Sequence, residues 1–374
     1  MTAGRSYGSV GPEHTRIKQQ SGTGEGRVMM RTFPYQVLYK FCHDIFAAAG
    51  VEENCACAVT DSLMDAELTG VHTHGLIRLP IYIQRIQAGV VSPENHIRIV
   101  REGPSTLVVD AGNSFGAPST AFAMNACIQK AEKTGACFAT VRASNHFGTA
   151  SFFARMAAKH DMIGFCCTNV TGKIVPYGGS KPYMGTNPFS VAIPTADESL
   201  PFVLDMTPTV VSLGKLILAQ KQGKEIPLGW ALDENGKPTT DPAAGRRGSL
   251  VPIAGPKGSG LAMAVELLCG VLSGAGCGPY LHDLYSFDEP QGIGHFVGAI
   301  AVAGFMDPSD FKAKASQMLQ EIKRIKPAEG FREVMIPGER GAREAAARKK
   351  EGISLSEELC EELNELGRPY GIAL

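Results

Sequence analysis

The chain has no apolar run long enough to cross a bilayer, so a membrane-spanning helix is not expected. Its first residues, MTAGRSYGSVGPEHTRIKQQSGTGEGR, lack the apolar stretch of a secretory signal. Net charge is nearly absent: 36 Lys and Arg against 37 Asp and Glu leave −1. No chain-wide field draws it to nucleic acid or to a membrane surface, and neither is an expected partner. The Cys-x-x-Cys pair of a redox centre is missing. Ten cysteines are present, but Cys42, Cys127, Cys137, Cys166, Cys167 and Cys269 lie in apolar runs, where cysteine behaves as a small buried hydrophobe. A reducing setting, the cytoplasm, is expected. HExxH is missing, and no nearby His-Cys-Asp set completes a familiar ligand spacing, so no metal centre is expected. No GxGxxG follows an early strand; the close glycines of GVLSGAGCG follow a helix, which argues against a common Rossmann enzyme.

What is present is a long chain of mixed pattern. With 374 residues, 44 % of them apolar, it exceeds the size at which one core usually keeps growing, and two domains or more are expected. Residues 1–30 are rich in Pro, Gly, Ser and charge and read as a flexible extension. Helical spacing runs through 35–49, 51–68 and 76–88, with Pro80 in the first turns of the third helix. Strand-like runs follow at 106–110, 137–142, 162–169 and 295–305, and FSVAIP and PFVLDM form a candidate hairpin across TADES. Helices are expected at 119–133, 150–160, 210–221, 261–272, 308–325 and 354–366. The simplest architecture is α/β. Residues 106–305 form a mixed α/β domain, and residues 31–105 and 306–374 pack together as a helical domain.

The polar clusters carry the chemistry. In ELTGVHTHGLIRLP, a helix beginning near His74 places Arg78 one turn on, on the same face. Arginine grips a carboxylate through parallel hydrogen bonds, and histidine passes a proton near neutral pH. The pair also reads as a helix cap and a surface cation. His72 reads as structural. SNHFG places His146 in a strand-to-helix loop, where functional residues concentrate. The loop TNVTGKIVPYGGSKPYMGTNP offers the backbone of Thr168, Gly185, Thr186 and Asn187 for phosphate or carboxylate oxygens, with Lys173 inside it. GPKGSG precedes a helix, so free N–H groups, the helix dipole and Lys257 can meet a phosphate, with Gly258, Ser259 and Gly260 beside them. Asp205 ends an apolar strand and can orient a histidine or cap a helix.

Together, GVHTHGLIRLPIYIQRIQAG, SNHFG, VPYGGSKPYMGTNP, LDMTPTVVSLGKL, IPLGWALDENGKPTTDP and GPKGSGLAMAVELLCGVLSGA resemble the malate/L-lactate dehydrogenase family of 2-oxoacid reductases. The resemblance runs from about residue 35 to beyond residue 300 and implies a non-Rossmann, mixed-sheet domain binding NAD or NADP, with NAD the first expectation. It also implies a homodimer and hydride transfer at C2 of a small carboxylic acid. By the same resemblance His74 is catalytic with Asp205 as its partner, Arg78 binds the substrate carboxylate, and His146 lies near the reacting centre. The block Lys257 to Gly260 then borders the cofactor. Two positions depart from the family pattern: Pro256 stands before Lys-Gly, and Thr207-Pro208 follow Asp-Met.

The expected reaction has Arg78 clamping the substrate and His74, oriented by Asp205, protonating the product of hydride transfer. His146 is the alternative donor and Lys173 a third candidate. Malate or lactate are the expected kind of substrate, with a cyclic 2-imino carboxylate as alternative. A cofactor-free hydrolase or isomerase using the His-Asp pair is the rival from another class.

Overall fold

A computed structural model describes residues 29–374 and the backbone at Arg16–Ile17. Helix α1, Tyr35–Ala48, buries Leu38, Phe41, Cys42, Ile45 and Phe46, the three-and-four spacing of one apolar stripe. That stripe packs on α2, Glu53–Leu68. Two single 3₁₀ turns follow, His72–His74 and Leu76–Arg78, and only then α3, Leu79–Gln87. The α-helix expected from residue 76 therefore starts later, with Pro80 in its first turn, where a missing N–H costs nothing.

Seven strands form the main sheet. Their order is Arg98–Glu102, Thr106–Asp110, Ala136–Ser144, Ile293–Ala301, Met162–Thr168, Phe189–Ile193 and Phe202–Met206. All pairs are antiparallel except Thr106–Asp110 with Ala136–Ser144. A parallel pair needs a crossover. Helix α4, Gly116–Thr134, supplies it and ends at Gly135 in the left-handed conformation. Helix α5, Ala150–Ala158, packs on the strand Met162–Thr168. The strand latest in sequence, Ile293–Ala301, lies in the middle of the sheet and is buried along nearly its whole length, hence its apolar run without alternation. The hairpin across TADES forms as expected. The edge strand Arg98–Glu102 is exposed throughout, and its sequence RIVRE gives no alternating signal.

The two ends of the described chain meet. Ile353–Ser356 pairs with Met30–Phe33, whose other side pairs with Arg16–Ile17. Helix α2 packs on Glu339–Glu351, and α3 on Glu357–Gly367. The last of these was expected from residue 354. It begins three residues later because Ile353–Ser356 is held in the strand, and the Ser356 hydroxyl accepts the Leu359 N–H at 3.2 Å as a cap. Residues 207–256 carry a small sheet, Pro238–Thr239, Ala231–Leu232 and Ser249–Leu250, over a separate core of Val211, Leu216, Ile226, Ala231 and Leu250. The flexible extension expected over 1–30 falls almost wholly outside the described residues. Among the described residues no helix is long and apolar enough to cross a membrane, and every cysteine is a free thiol.

Candidate active site

The geometry of the His-Thr-His-Gly segment is set from beneath by Glu67. This residue lies in the last turn of α2 with its side chain 1 % exposed. One carboxylate oxygen accepts the Leu76 N–H at 2.8 Å, and the other meets His72 Nδ1 at 2.5 Å. A buried carboxylate demands such partners. His72 is therefore structural, as expected. A Cβ on Gly75 would lie 2.0 Å from Glu67 Oε1, so only glycine fits there. The tight turn lifts His74 and Arg78 to one side. Arg78 Nε donates to the Thr73 carbonyl at 2.7 Å and Nη1 to the Tyr285 hydroxyl at 2.7 Å. No carboxylate pairs with Arg78 among the described residues.

His146 comes from the loop between the strand Ala136–Ser144 and α5, and lies against His74. The two rings stack with centroids 5.5 Å apart and 27° between planes. The His146 loop is held on several sides. Its N–H donates to Gln291 Oε1 at 2.9 Å, and the Ser62 hydroxyl of α2 donates to the Phe147 carbonyl at 2.8 Å. The imidazole Nδ1 meets the Tyr82 hydroxyl of α3 at 2.6 Å, which leaves Nε2 without a protein partner among the described residues. Below the loop, His295 is fully buried. Its Nδ1 meets the Thr168 hydroxyl and its Nε2 the Ser144 hydroxyl, both at 2.7 Å, and its ring stacks on Phe147 at 4.7 Å.

These surroundings keep all three imidazoles neutral. Burial and then the Arg78 charge push His74 down to about 4. Burial, then His74 and Arg78, hold His146 well below the usual histidine range. Burial pushes His295 down to about 3. The Tyr82 phenol is pushed up, chiefly by burial, and stays protonated. The cluster thus offers an unpaired guanidinium beside two neutral imidazoles, one of them oriented by a phenol. Tyr82, Tyr285, Gln291 and His295 were not singled out from the sequence. Only Tyr82 had a local signal, four residues after Arg78.

Asp205 is not in this cluster. It pairs with Ser190 across the edge hairpin, and its carboxylate accepts the Ser151 N–H at 3.3 Å. It makes no hydrogen bond to His74 or His146, so the expected orientation of His74 by Asp205 is corrected: the acid serves the N-terminus of α5, where unpaired N–H groups favour a carboxylate.

Several groups of the expected cofactor loop are engaged in its own packing. Thr168 is 2 % exposed and donates to the Gly294 carbonyl at 3.0 Å. Asn187 is fully buried, donating to the Ala262 carbonyl and to Glu266 at 3.1 and 2.7 Å. Gly185 packs on Val170, where a Cβ would lie 2.2 Å from a carbonyl oxygen. These three residues hold the loop's shape, while Thr186 is half-buried. Lys173 is anchored through its backbone, its N–H to Met184 and its carbonyl from Leu250, and its ammonium has no ion partner among the described residues.

The glycine-rich turn opens helix Pro256–Glu266, five residues before the expected start. Its N–H groups are not free: Lys257 donates to Ala254 O at 3.4 Å and Gly258 to Ile253 O at 2.9 Å. The Ser259 hydroxyl accepts the Tyr177 N–H at 2.9 Å. Lys257 and Gly260 remain exposed, and the Tyr177 ring, 66 % exposed, lies 3.2 Å from where a Gly255 Cβ would be. An unpaired ammonium and an open aromatic face suit a planar, phosphate-bearing group, so the residues fit a nicotinamide dinucleotide through charge and stacking, without a cradle of free N–H groups.

A mixed sheet whose loop histidine meets an arginine and a second histidine from the turns between two helices defines a class of enzyme rather than one enzyme. Residues 33–364 match the family described as malate/L-lactate dehydrogenase, and the chain belongs to that family of oxidoreductases. It is 36 % identical over 347 residues to malate dehydrogenase of Pyrococcus horikoshii, covering 91 % of this chain and 95 % of the relative. It is 32 % identical to ureidoglycolate dehydrogenase (NAD(+)) of Escherichia coli K12, covering 88 % of this chain and 93 % of the relative. It is 35 % identical to (2R)-3-sulfolactate dehydrogenase (NADP(+)) of Chromohalobacter salexigens, covering 87 % and 94 %. The solved sulfolactate dehydrogenase of Methanocaldococcus jannaschii superposes with a TM-score of 0.86 at 35 % identity, over 91 % of this chain and 98 % of that one.

Proposed function

We propose that this protein transfers a hydride between NAD or NADP and C2 of a small 2-hydroxy or 2-oxo carboxylate, of the kind that its relatives' names describe. The observation that carries the reading is Arg78, a guanidinium without a carboxylate partner beside two stacked neutral imidazoles. The nicotinamide, when bound, supplies or accepts the hydride. Arg78 holds the substrate carboxylate. His146 moves the proton at the C2 oxygen through Nε2, because Tyr82 engages its Nδ1. His74, without a carboxylate behind it, lines the site.

The charge of Arg78 gives this arrangement a built-in coupling. That charge is one of the causes holding His146 neutral. A substrate carboxylate on Arg78 offsets it, so the arriving anion raises the proton affinity of the imidazole next to it. In the oxidative direction neutral His146 takes the hydroxyl proton, and in the reductive direction protonated His146 returns it. Lys173 is a further candidate contact for the substrate, and Lys257 and Thr186 for the cofactor, which would lie against the mixed sheet and not on a doubly wound parallel one.

The same reading divides the chain into a largely helical unit, residues 31–105 and 306–374, and a cofactor-binding unit, residues 106–305, with the boundary corrected at Arg98–Glu102, which pairs into the sheet of the second unit. It also has the protein act as a homodimer. Met263, Leu267 and Val271 recur every four residues on one exposed helical face, 43 %, 59 % and 61 % exposed, which suits a second copy of this chain. The free thiols suit a cytoplasmic setting. A panel of 2-oxo acids and cyclic imino acids, assayed with NADH and with NADPH, tests the reaction, and light scattering tests the dimer. Oxidation of one nicotinamide by a 2-oxo acid is expected. Preference for a cyclic imino acid would move the reading to an imine reductase, and inertness of both cofactors with every member would overturn it.

A further inference from the structure

Helices α1 and α2 assemble a side-chain set that the proposed reaction does not use. His43 lies on α1, and Glu53 and Cys57 lie one turn apart on α2. One ligand atom from each falls within 4.8 Å of the other two. His43 Nε2 is 3.3 Å from Glu53 Oε1, and Cys57 Sγ is 3.7 Å from the same oxygen. Zinc bonds of about 2.0–2.3 Å in a tetrahedron put neighbouring ligand atoms roughly 3.3–3.8 Å apart. The two distances to Glu53 match that spacing, and the third pair lies within 4.8 Å, close enough for a small side-chain rotation to complete it.

The imidazole also has an acidic neighbour on its far side. Its far nitrogen, Nδ1, faces Asp44 at 3.9 Å, and its ring lies parallel to Tyr39, 9° between planes. Tyr39 in turn donates to Asp61 at 3.0 Å. At that distance Asp44 is a charge neighbour of the ring and not its hydrogen-bond partner. The His43 side chain is 21 % exposed and Glu53 71 % exposed, so an ion can enter from solvent and keep water in its remaining position.

We propose that His43, Glu53 and Cys57 form a site for a thiophilic divalent cation, Zn²⁺ foremost, that clips α1 to α2. The thiolate and imidazole select against Mg²⁺ and Ca²⁺, which prefer oxygen ligands. On binding, the Cys57 thiol gives its proton to solvent and the sulfur takes the metal, with no change of oxidation state. Glu53 and Glu67 are separated along α2 by roughly 20 Å at 1.5 Å per residue, so the ion is structural and stands apart from the His74 and His146 cluster.

The test is titration of the chelator-treated, full-length protein with Co²⁺ and Zn²⁺. One equivalent of Co²⁺ should produce a sulfur-to-cobalt charge-transfer band that Zn²⁺ then displaces. Cys57→Ser should abolish the band, and His43→Gln should weaken Zn²⁺ binding at least tenfold. Zinc should raise the melting temperature of the wild type and of neither variant. Absence of the band in the wild type, or its persistence in Cys57→Ser, would overturn the assignment, since one of the other nine cysteines would then be the ligand.

Discussion

Replacing Arg78 with methionine separates two roles that the geometry gives one residue. In the free protein its guanidinium donates to the Thr73 carbonyl and to the Tyr285 hydroxyl, and a substrate carboxylate takes the remaining donors. Hydrogen bonds to a charged group contribute about 1.5–3 kcal/mol each, and a shared carboxylate makes one or two of them. A loss of roughly 2–4 kcal/mol lowers kcat/KM for a 2-oxo acid about 30- to 1,000-fold. The second role concerns protons. The Arg78 charge lowers both His74 and His146, so its removal raises both. For reduction, which needs a protonated imidazole, the alkaline limb of the pH–rate profile should move to higher pH, read with an uncharged 2-oxo amide that has no use for the clamp. Steady-state kinetics on the acid and the amide across pH supply both readouts. An unchanged kcat/KM for the acid, or an equal loss for acid and amide, would refute the clamp. An unmoved pH limb would refute the coupling.

Tyr82→Phe removes the partner of His146 Nδ1 and leaves a buried ring N–H unpaired, at a cost of about 1–3 kcal/mol. It should lower kcat roughly 10- to 100-fold with KM little changed and shift the pH profile to lower pH, because the protonated imidazole loses its acceptor; a loss confined to KM would place Tyr82 in substrate binding. Gly75→Ala drives a methyl group to 2.0 Å from Glu67 Oε1 and should cost about 1–3 kcal/mol in a denaturant melt, with activity falling as the turn shifts; wild-type stability would mean that the turn yields freely. His295 carries a share of the acid sensitivity of the core, beside His74 and His146, which burial also holds low. Its folded pKa, about 3, lies below the unfolded value of 6.5, so the unfolded chain binds the extra proton and stability falls as pH drops from 6.5 toward 3. The full interval is worth up to roughly 5 kcal/mol. His295→Gln should make the fall of urea midpoints across that range shallower even if it lowers them overall, with His74 and His146 supplying the rest, and an undiminished slope would assign the sensitivity elsewhere.

Local patterns were legible in this sequence and long-range polar contacts were not. The apolar stripe of α1, the helical spacing of α2 and the hairpin across TADES are visible because side chains close in sequence decide them. His74 and Arg78 were legible for the same reason, although the α-helix expected to join them is two 3₁₀ turns. What shapes that turn is Glu67, whose role shows only once the turn folds back over it. Tyr285 lies 207 residues from Arg78 and Gln291 lies 145 from His146, and no spacing rule reaches so far.

The misread groups share one cause: a polar atom's partner is set by the fold. Asp205 was read both as a histidine partner and as a helix cap. It serves the start of α5, which precedes it in sequence by some fifty residues, because the edge hairpin returns there. GPKGSG has the composition of an anion-binding helix start. Yet the left-handed Ala254 and Gly255 turn the chain so that the preceding carbonyls take the first N–H groups. A helix N-terminus binds an anion only with donors left over, and that count needs every acceptor within reach. The histidines divide by the same count: both ring nitrogens of His295 are bonded to hydroxyls, whereas His146 keeps one nitrogen unbonded, and an unbonded nitrogen beside an unpaired arginine can exchange a proton with a bound acid.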